Sequence, residues 1–246
     1  MLVLLPPSEG KTAPAAGEPV ELGSLAFADV LTERRLELLE ALERLGAGAQ
    51  EEAVAALAIS PGQAGEVAID AKLRRTPAAP AAGVYSGVLY DRLGLPDLSA
   101  EAQGRVLIAS ALWGALRPGD RIPYYRLSAK ARLPGIGPLA AWWRPALAEA
   151  LPDEAGALVV DMRSAAYAAA WKPRRSALVA VRAFREEAGR RKAVSHMAKA
   201  VRGEVARALL AAKEPPADAE AAAVIAASAG FSVELGPGNL DVILRG

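Results

Sequence analysis

The segment Pro6-Pro7-Ser8-Glu9-Gly10-Lys11 sets a hydroxyl, a carboxylate and an amine side by side, directly after the apolar run Leu2 to Leu5. A strand that ends in Gly-Lys invites a phosphate-binding reading, but the G-x-x-x-x-G-K-[ST] pattern fails here. Only one glycine is present, and the two prolines put positions without an N–H where a phosphate cradle needs amides. What remains is a polar turn at a strand end, either an ordinary surface turn or one edge of a pocket. Asp161-Met162-Arg163-Ser164, with Tyr167 close behind, ends a second apolar run. Asp161 there is an acid, a base or the ion-pair partner of Arg163, and ion pairing is the commoner use. Glu9 and Asp161 are the carboxylates expected to move protons if the chain catalyses a reaction, with Lys11, Arg126 and Lys199 holding an anion.

Three further stretches carry cations. Trp113-Gly114-Ala115-Leu116-Arg117-Pro118-Gly119-Asp120 and Pro123-Tyr124-Tyr125-Arg126-Leu127 follow a buried run, and they set Arg117, Arg121 and Arg126 beside aromatic rings. Arginine with aromatics suits phosphates and unpaired bases, although Trp113 reads better as core. Leu133-Pro134-Gly135-Ile136-Gly137 runs into a helical pattern, the arrangement of a helix-hairpin-helix element over about 124–151. Gly135 and Gly137 would let backbone amides approach a DNA phosphate without reading sequence. Ser195 to Ala212 reads as an amphipathic helix, with Met197, Val201 and Val205 on the buried side, His196 and Lys199 nearly opposite, and Arg202 on the flank. Gly203 costs about 1 kcal/mol against alanine in a helix, so a close neighbour is expected there. No G-x-S-x-G elbow supports a triad through His196 with Ser8 or Ser164.

Composition excludes other classes. The chain has 246 residues, no cysteine and one histidine, so thiol chemistry, disulfides and multi-histidine metal sites are out, and no metal or cofactor is expected. Net charge is +1, but unevenly placed: residues 1–60 hold four Lys/Arg against ten acids, and residues 163–207 hold twelve against three. That asymmetry points to a polyanion partner or to a solvated basic face. The N-terminus lacks a basic leader and breaks at Pro6, and no stretch nears the ~20 apolar residues of a membrane span, so a cytoplasmic protein without membrane contact is expected.

The positioning elements follow from periodicity. Leu2 to Leu5, Arg105 to Ser110, Gly156 to Met162 and Ser176 to Phe184 read as strands, and Phe231 to Arg245 as a closing hairpin around Gly236-Pro237-Gly238-Asn239. Helices are expected from a Thr32 N-cap to Gly46, from Ser60-Pro61 toward Lys72, over Tyr85 to Leu93, and after Asp218. Thr76 to Gly83 reads as a loop. No repeat or long linker divides the chain, so one α+β domain with a mixed sheet is expected.

LLPPSEGK, YSGVLY, WGALRPGD with IPYYRL, VVDMRSAAYAAAW and VSHMAKAVRGEVARALL, in this order, resemble the YaaA family of peroxide-stress proteins over nearly the whole chain. The resemblance implies a positively charged cleft, a helix-hairpin-helix element, DNA binding with little sequence preference, and protection of cells under hydrogen peroxide. It places cleft candidates at Ser8, Glu9, Lys11, Tyr85, Arg117, Tyr125, Arg126, Asp161, Arg163, Lys199 and Arg202, with the hairpin at Leu133 to Gly137. Leu112-Trp113-Gly114 and the doubled Tyr124-Tyr125 depart from the family pattern. A mixed set of acids, phenols and amines also fits a second reading, an enzyme acting on a nucleotide, nucleobase or similar small molecule in the same cleft.

Overall fold

LVLL, VLIAS and LVVD are apolar at every position or nearly so, which suits strands covered on both faces at the centre of a parallel sheet. The computed structural model describes residues 1–187, 190–193 and 195–245, apart from the side chains of residues 193, 195, 196 and 245. Its strands are β1 (Leu2–Leu5), β2 (Ala79–Pro80), β3 (Val106–Ser110), β4 (Gly114–Leu116), β5 (Arg121–Ile122), β6 (Arg132–Leu133), β7 (Gly137–Pro138), β8 (Leu158–Asp161), β9 (Ala177–Glu187), β10 (Arg190–Ala193), β11 (Ser232–Gly236) and β12 (Asn239–Arg245). Its helices are α1 (Ala28–Ala47), α2 (Gln50–Leu57), α3 (Gly65–Asp70), α4 (Ala81–Val84), α5 (Val88–Leu93), α6 (Ala100–Gly104), α7 (Leu139–Ala150), α8 (Ala165–Ala168), α9 (Ser195–Ala211) and α10 (Ala219–Ser228).

One mixed sheet runs β11-β12-β9-β8-β1-β3-β4, with β10 paired to β9. The pairs β12–β9, β9–β8, β8–β1 and β1–β3 are parallel, and the flanking pairs β3–β4, β11–β12 and β9–β10 are antiparallel. The single domain and mixed sheet match expectation, but the class is α/β rather than α+β. The three doubly covered strands demand parallel neighbours with helices on their faces, and alternation of polar and apolar residues is confined to the outer strands. From β1 the chain passes to β3 on one side, then returns to β8 on the other. Strand order therefore reverses at β1, and the carboxyl ends of β1 and β8 flank a switch point, the usual place for a ligand crevice in such sheets.

Several local expectations shift for identifiable reasons. α1 starts a turn before Thr32, after Phe27 in a left-handed conformation (φ 61°), and buries Leu31, Arg35, Leu38, Leu39 and Leu42. The rotated stripe follows from Arg35, whose guanidinium donates to the carbonyls of Ala26, Trp113 and Ala115. Tyr85 is extended rather than helical, because its backbone bridges Lys11, and α5 begins only after Gly87 at φ 95°. Ser60 caps as expected, forming a capping box with Gln63 that opens a 3₁₀ turn ahead of α3. Residues 124–131 contain no helix, so the Gly135-Gly137 turn joins β6 to β7 and only α7 follows. The element is a β-hairpin leading into a helix. Among the described residues no helix is long and apolar enough to cross a membrane.

Gly203 sits where α9 crosses α5. A Cβ there would strike the carbonyl of Leu89 and come within 2.9 Å of Arg92 Cβ, which is the close approach that the helix-interior glycine implied.

Candidate functional site at the strand switch

β1 delivers Leu5 into the loop that ends at Lys11, and three contacts fix that loop. Tyr90 Oη donates to the carbonyl of Pro6 at 2.7 Å, Ser8 Oγ donates to the carbonyl of Ser86, and Thr12 N donates to Val84 O at 2.8 Å. The prolines stiffen the turn and the three anchors hold it against the 84–90 segment, so Lys11 is aimed by backbone geometry. Its Nζ donates to Ser8 O at 2.7 Å and lies 4.3 Å from the centre of the Tyr125 ring and 5.6 Å from that of Tyr85. Two rings facing an ammonium stabilise the cation, yet they exclude water from it. Burial, with the nearby Arg126 charge adding to it, lowers the Lys11 pKa to about 8.

The tyrosines are themselves chained. Tyr85 Oη and Tyr125 Oη are 2.7 Å apart, and Tyr125 Oη is 2.8 Å from Ser110 Oγ at the end of β3. Burial raises the pKa of Tyr85, Tyr90 and Tyr125 and pushes Tyr167 up to about 12, so all four stay protonated at neutral pH. Opposite Lys11 the 124–126 segment docks on α3. Tyr124 Oη donates to Glu66 Oε1 at 2.9 Å, and Arg126 N donates to Asp70 Oδ1 at 2.8 Å. The second oxygens, Glu66 Oε2 and Asp70 Oδ2, are buried with no partner among the described residues. Burial lifts the Asp70 carboxyl to about 7, with Glu66 contributing and the Arg126 amide opposing. Arg126 Nη1 donates to Glu9 O at 3.2 Å, and its Nη2 lies 3.8 Å from the exposed Glu9 carboxylate.

Ser8, Glu9, Lys11, Tyr85, Tyr125 and Arg126 thus lie together, with Tyr167 close by, its Oη accepting from Ala129 N at 3.3 Å. The other expected residues do different work. Asp161 and Arg163 form a buried bidentate pair, Nε to Oδ1 at 2.8 Å and Nη2 to Oδ2 at 2.9 Å, and Arg163 also donates to Trp171 O. Arg117 donates to the carbonyls of Gly104 and Val106, and its amide donates to Asp120, which also accepts from Ala26 N. Arg202 Nε donates to Val181 O. Ser164 and Lys199 are exposed, and Gly135 and Gly137 carry φ of 78° in the hairpin turn. The His196 side chain lies outside the described residues.

Sequence reasoning missed Asp70, Glu66 and Ser110. Ser110 had a signal, a polar residue closing an otherwise apolar strand. Asp70 and Glu66 had none, since α3 reads as an ordinary polar turn of helix until the 124–126 segment covers it.

This arrangement occurs in a chain whose residues 1–232 match the family model described as peroxide stress protein YaaA. A UPF0246 protein of Streptomyces coelicolor is 48% identical over 227 residues, covering 89% of this chain and 87% of its own. UPF0246 proteins of Corynebacterium efficiens and Corynebacterium glutamicum are 38% and 36% identical, each covering 99% of this chain and 98% of their own. The chain belongs to the YaaA (UPF0246) family of peroxide stress proteins.

Proposed function

We propose that the protein serves the peroxide stress response as an enzyme acting on a small anionic molecule, of nucleotide or nucleobase type, at the β1–β8 switch. One observation carries this. A lysine with its pKa lowered to about 8 shares a buried cluster with an aspartic acid raised to about 7. Burial has pulled a base and an acid toward neutrality from opposite sides, the condition under which side chains exchange protons near physiological pH. Lys11 and Arg126 supply positive charge for the ligand, and Asp70, in place of Glu9 or Asp161, is the proton-exchanging carboxyl. Glu9 is exposed and Asp161 is bound to Arg163, so neither is free in the same way.

Calorimetric titration with nucleoside monophosphates and free nucleobases tests the reading on wild type, Lys11→Met and Asp70→Asn. A ligand whose affinity falls at least tenfold in Lys11→Met is expected. Its affinity should decline as pH rises through 7 to 8, because Asp70 gains negative charge and Lys11 loses its proton over that window. Equal binding by wild type and Lys11→Met removes the site.

DNA binding is the second reading, favoured by a different observation. Lys130 and Arg132 are exposed beside the Gly135-Gly137 turn, where an added Cβ would meet open space and a backbone phosphate has room to approach. Fluorescence anisotropy with duplex DNA at two salt concentrations should then show a log–log salt slope that falls by about 2 in Lys130→Ala/Arg132→Ala. An unchanged slope means that the hairpin does not hold DNA.

A further inference from the structure

Ser110 Oγ accepts two backbone hydrogen bonds, from Leu112 N at 3.2 Å and from Trp113 N at 3.0 Å. Both of its lone pairs are thereby engaged, so its hydrogen is donated to Tyr125 Oη. Between Tyr125 and Tyr85 there is one link, which consumes one of the two phenolic hydrogens. Three hydroxyl hydrogens therefore enter a chain with two links. Whichever way the phenol–phenol bond points, one phenolic hydrogen has no acceptor among the described residues. Both rings are buried, Tyr85 at 3% and Tyr125 at 0% exposure, so bulk water does not satisfy it. Lys11 Nζ stands over the same pair, with one of its three hydrogens committed to Ser8 O.

From this count we infer that Ser110, Tyr125 and Tyr85 form a polarised donor chain, started by two backbone amides, whose last phenol donates to an oxyanion on a ligand held beside Lys11. The inference rests on the small-molecule reading of this site and narrows its substrate class. The ligand carries an ionised or ionising oxygen on an sp² carbon: a phenolate, an enolate, or the deprotonated lactam of a nucleobase. A phenol that receives a hydrogen bond becomes a stronger donor to a single oxyanion. Neutral tyrosines suit this task because burial raises their pKa and keeps the proton on the donor.

Substituted phenols spanning several units of acidity are the probes, with phenolate absorbance as the readout. Wild type should hold the phenolate form, and Tyr85→Phe and Tyr125→Phe should each weaken it about 10- to 100-fold, the range of a hydrogen bond to a charged group. The dependence of affinity on phenol pKa should flatten in both variants, which loss of packing would not produce. Ser110→Ala leaves both rings in place and should weaken binding about threefold or more by depolarising the chain. If phenolates bind wild type and all three hydroxyl variants alike but fail with Lys11→Met, the donor chain is wrong and the Lys11 site stands. If wild type holds no phenolate while nucleoside monophosphates bind through Lys11, the substrate class is wrong. If neither class binds, both readings fall together.

Discussion

Two charged regions of the molecule treat their polar groups in opposite ways. Arg182 on β9 and Arg191 on β10 are paired off. Arg182 grips Asp241 at 2.6 Å, Arg191 meets Glu234 and Glu186, and on α9 Arg202 caps the carbonyl of Val181. At the strand switch the groups are fewer but left over among the described residues: a lysine with one hydrogen bond, a phenolic hydrogen without an acceptor, and carboxylate oxygens of Asp70 and Glu66 without donors. Within the basic segment, Arg182 and Arg191 meet acids that arrive from distant strands, Asp241 and Glu234. Charge density along a chain reports solvation, whereas unspent hydrogen-bonding capacity in a buried place reports readiness to bind.

The sharpest way to break this contrast lies at Arg163, whose buried pairing with Asp161 is bidentate. Arg163→Ala should cost about 3–5 kcal/mol in urea unfolding, because it strands the buried Asp161 carboxylate. A loss below about 1 kcal/mol would mean that Asp161 does not depend on its partner, and would return it to the proton-exchanging set.

Asp70 gives the next largest effect, and its sign is opposite to that of a paired carboxylate. Its folded pKa of about 7 lies above the ordinary 3.8, so between those values the folded state keeps a proton that the unfolded chain has released. Stability should therefore fall as pH rises from about 4 to 7, by up to about 4 kcal/mol. Asp70→Asn should flatten that slope in denaturant midpoints taken across the range, and should be the more stable protein at pH 8. Lys11 works the other way at higher pH: its burial penalty is full below about 8 and is relieved as pH climbs toward 10.5, where the unfolded chain still holds the proton.

Gly203→Ala comes third. The added methyl meets the Leu89 carbonyl, so α9 must shift off α5, at a cost of about 1–3 kcal/mol despite the better helix propensity of alanine. A stabilised variant would show that the two helices have slack and that the loop-bearing α5 segment is not tightly fixed.

How much of this was legible in the sequence divides along physical lines. Strands closed to water on both faces announce themselves by composition, so β1, β3 and β8 were readable; β9 was readable by its alternation, as were α9 and the terminal hairpin. The parallel pairing was not read, because the doubly covered strands were given no neighbours from the pattern alone. Half of the site was readable because Ser8, Glu9, Lys11, Tyr125 and Arg126 sit in motifs with prolines and glycines beside them. Asp70 and Glu66 were not, since their burial depends on the 124–126 segment docking across α3, a contact between residues more than fifty positions apart. The family motif WGALRPGD misled in the other direction. Arg117 and Asp120 look like site residues, but they tie β4 to the start of α1 and the end of α6.

The smallest expected effect is also the most direct check on the contrast between the two regions. Arg182→Ala and Arg191→Ala each remove an exposed, bidentately paired arginine from the basic half. Water and salt screen such pairs, and the freed carboxylates of Asp241 and Glu234 can be solvated where they stand. Thermal midpoints and nucleotide affinity should therefore match wild type within error, while Lys11→Met loses the ligand. A tenfold loss of ligand affinity in either arginine variant would place the working cations on β9 and β10 and make the strand-switch cluster a structural feature of the core.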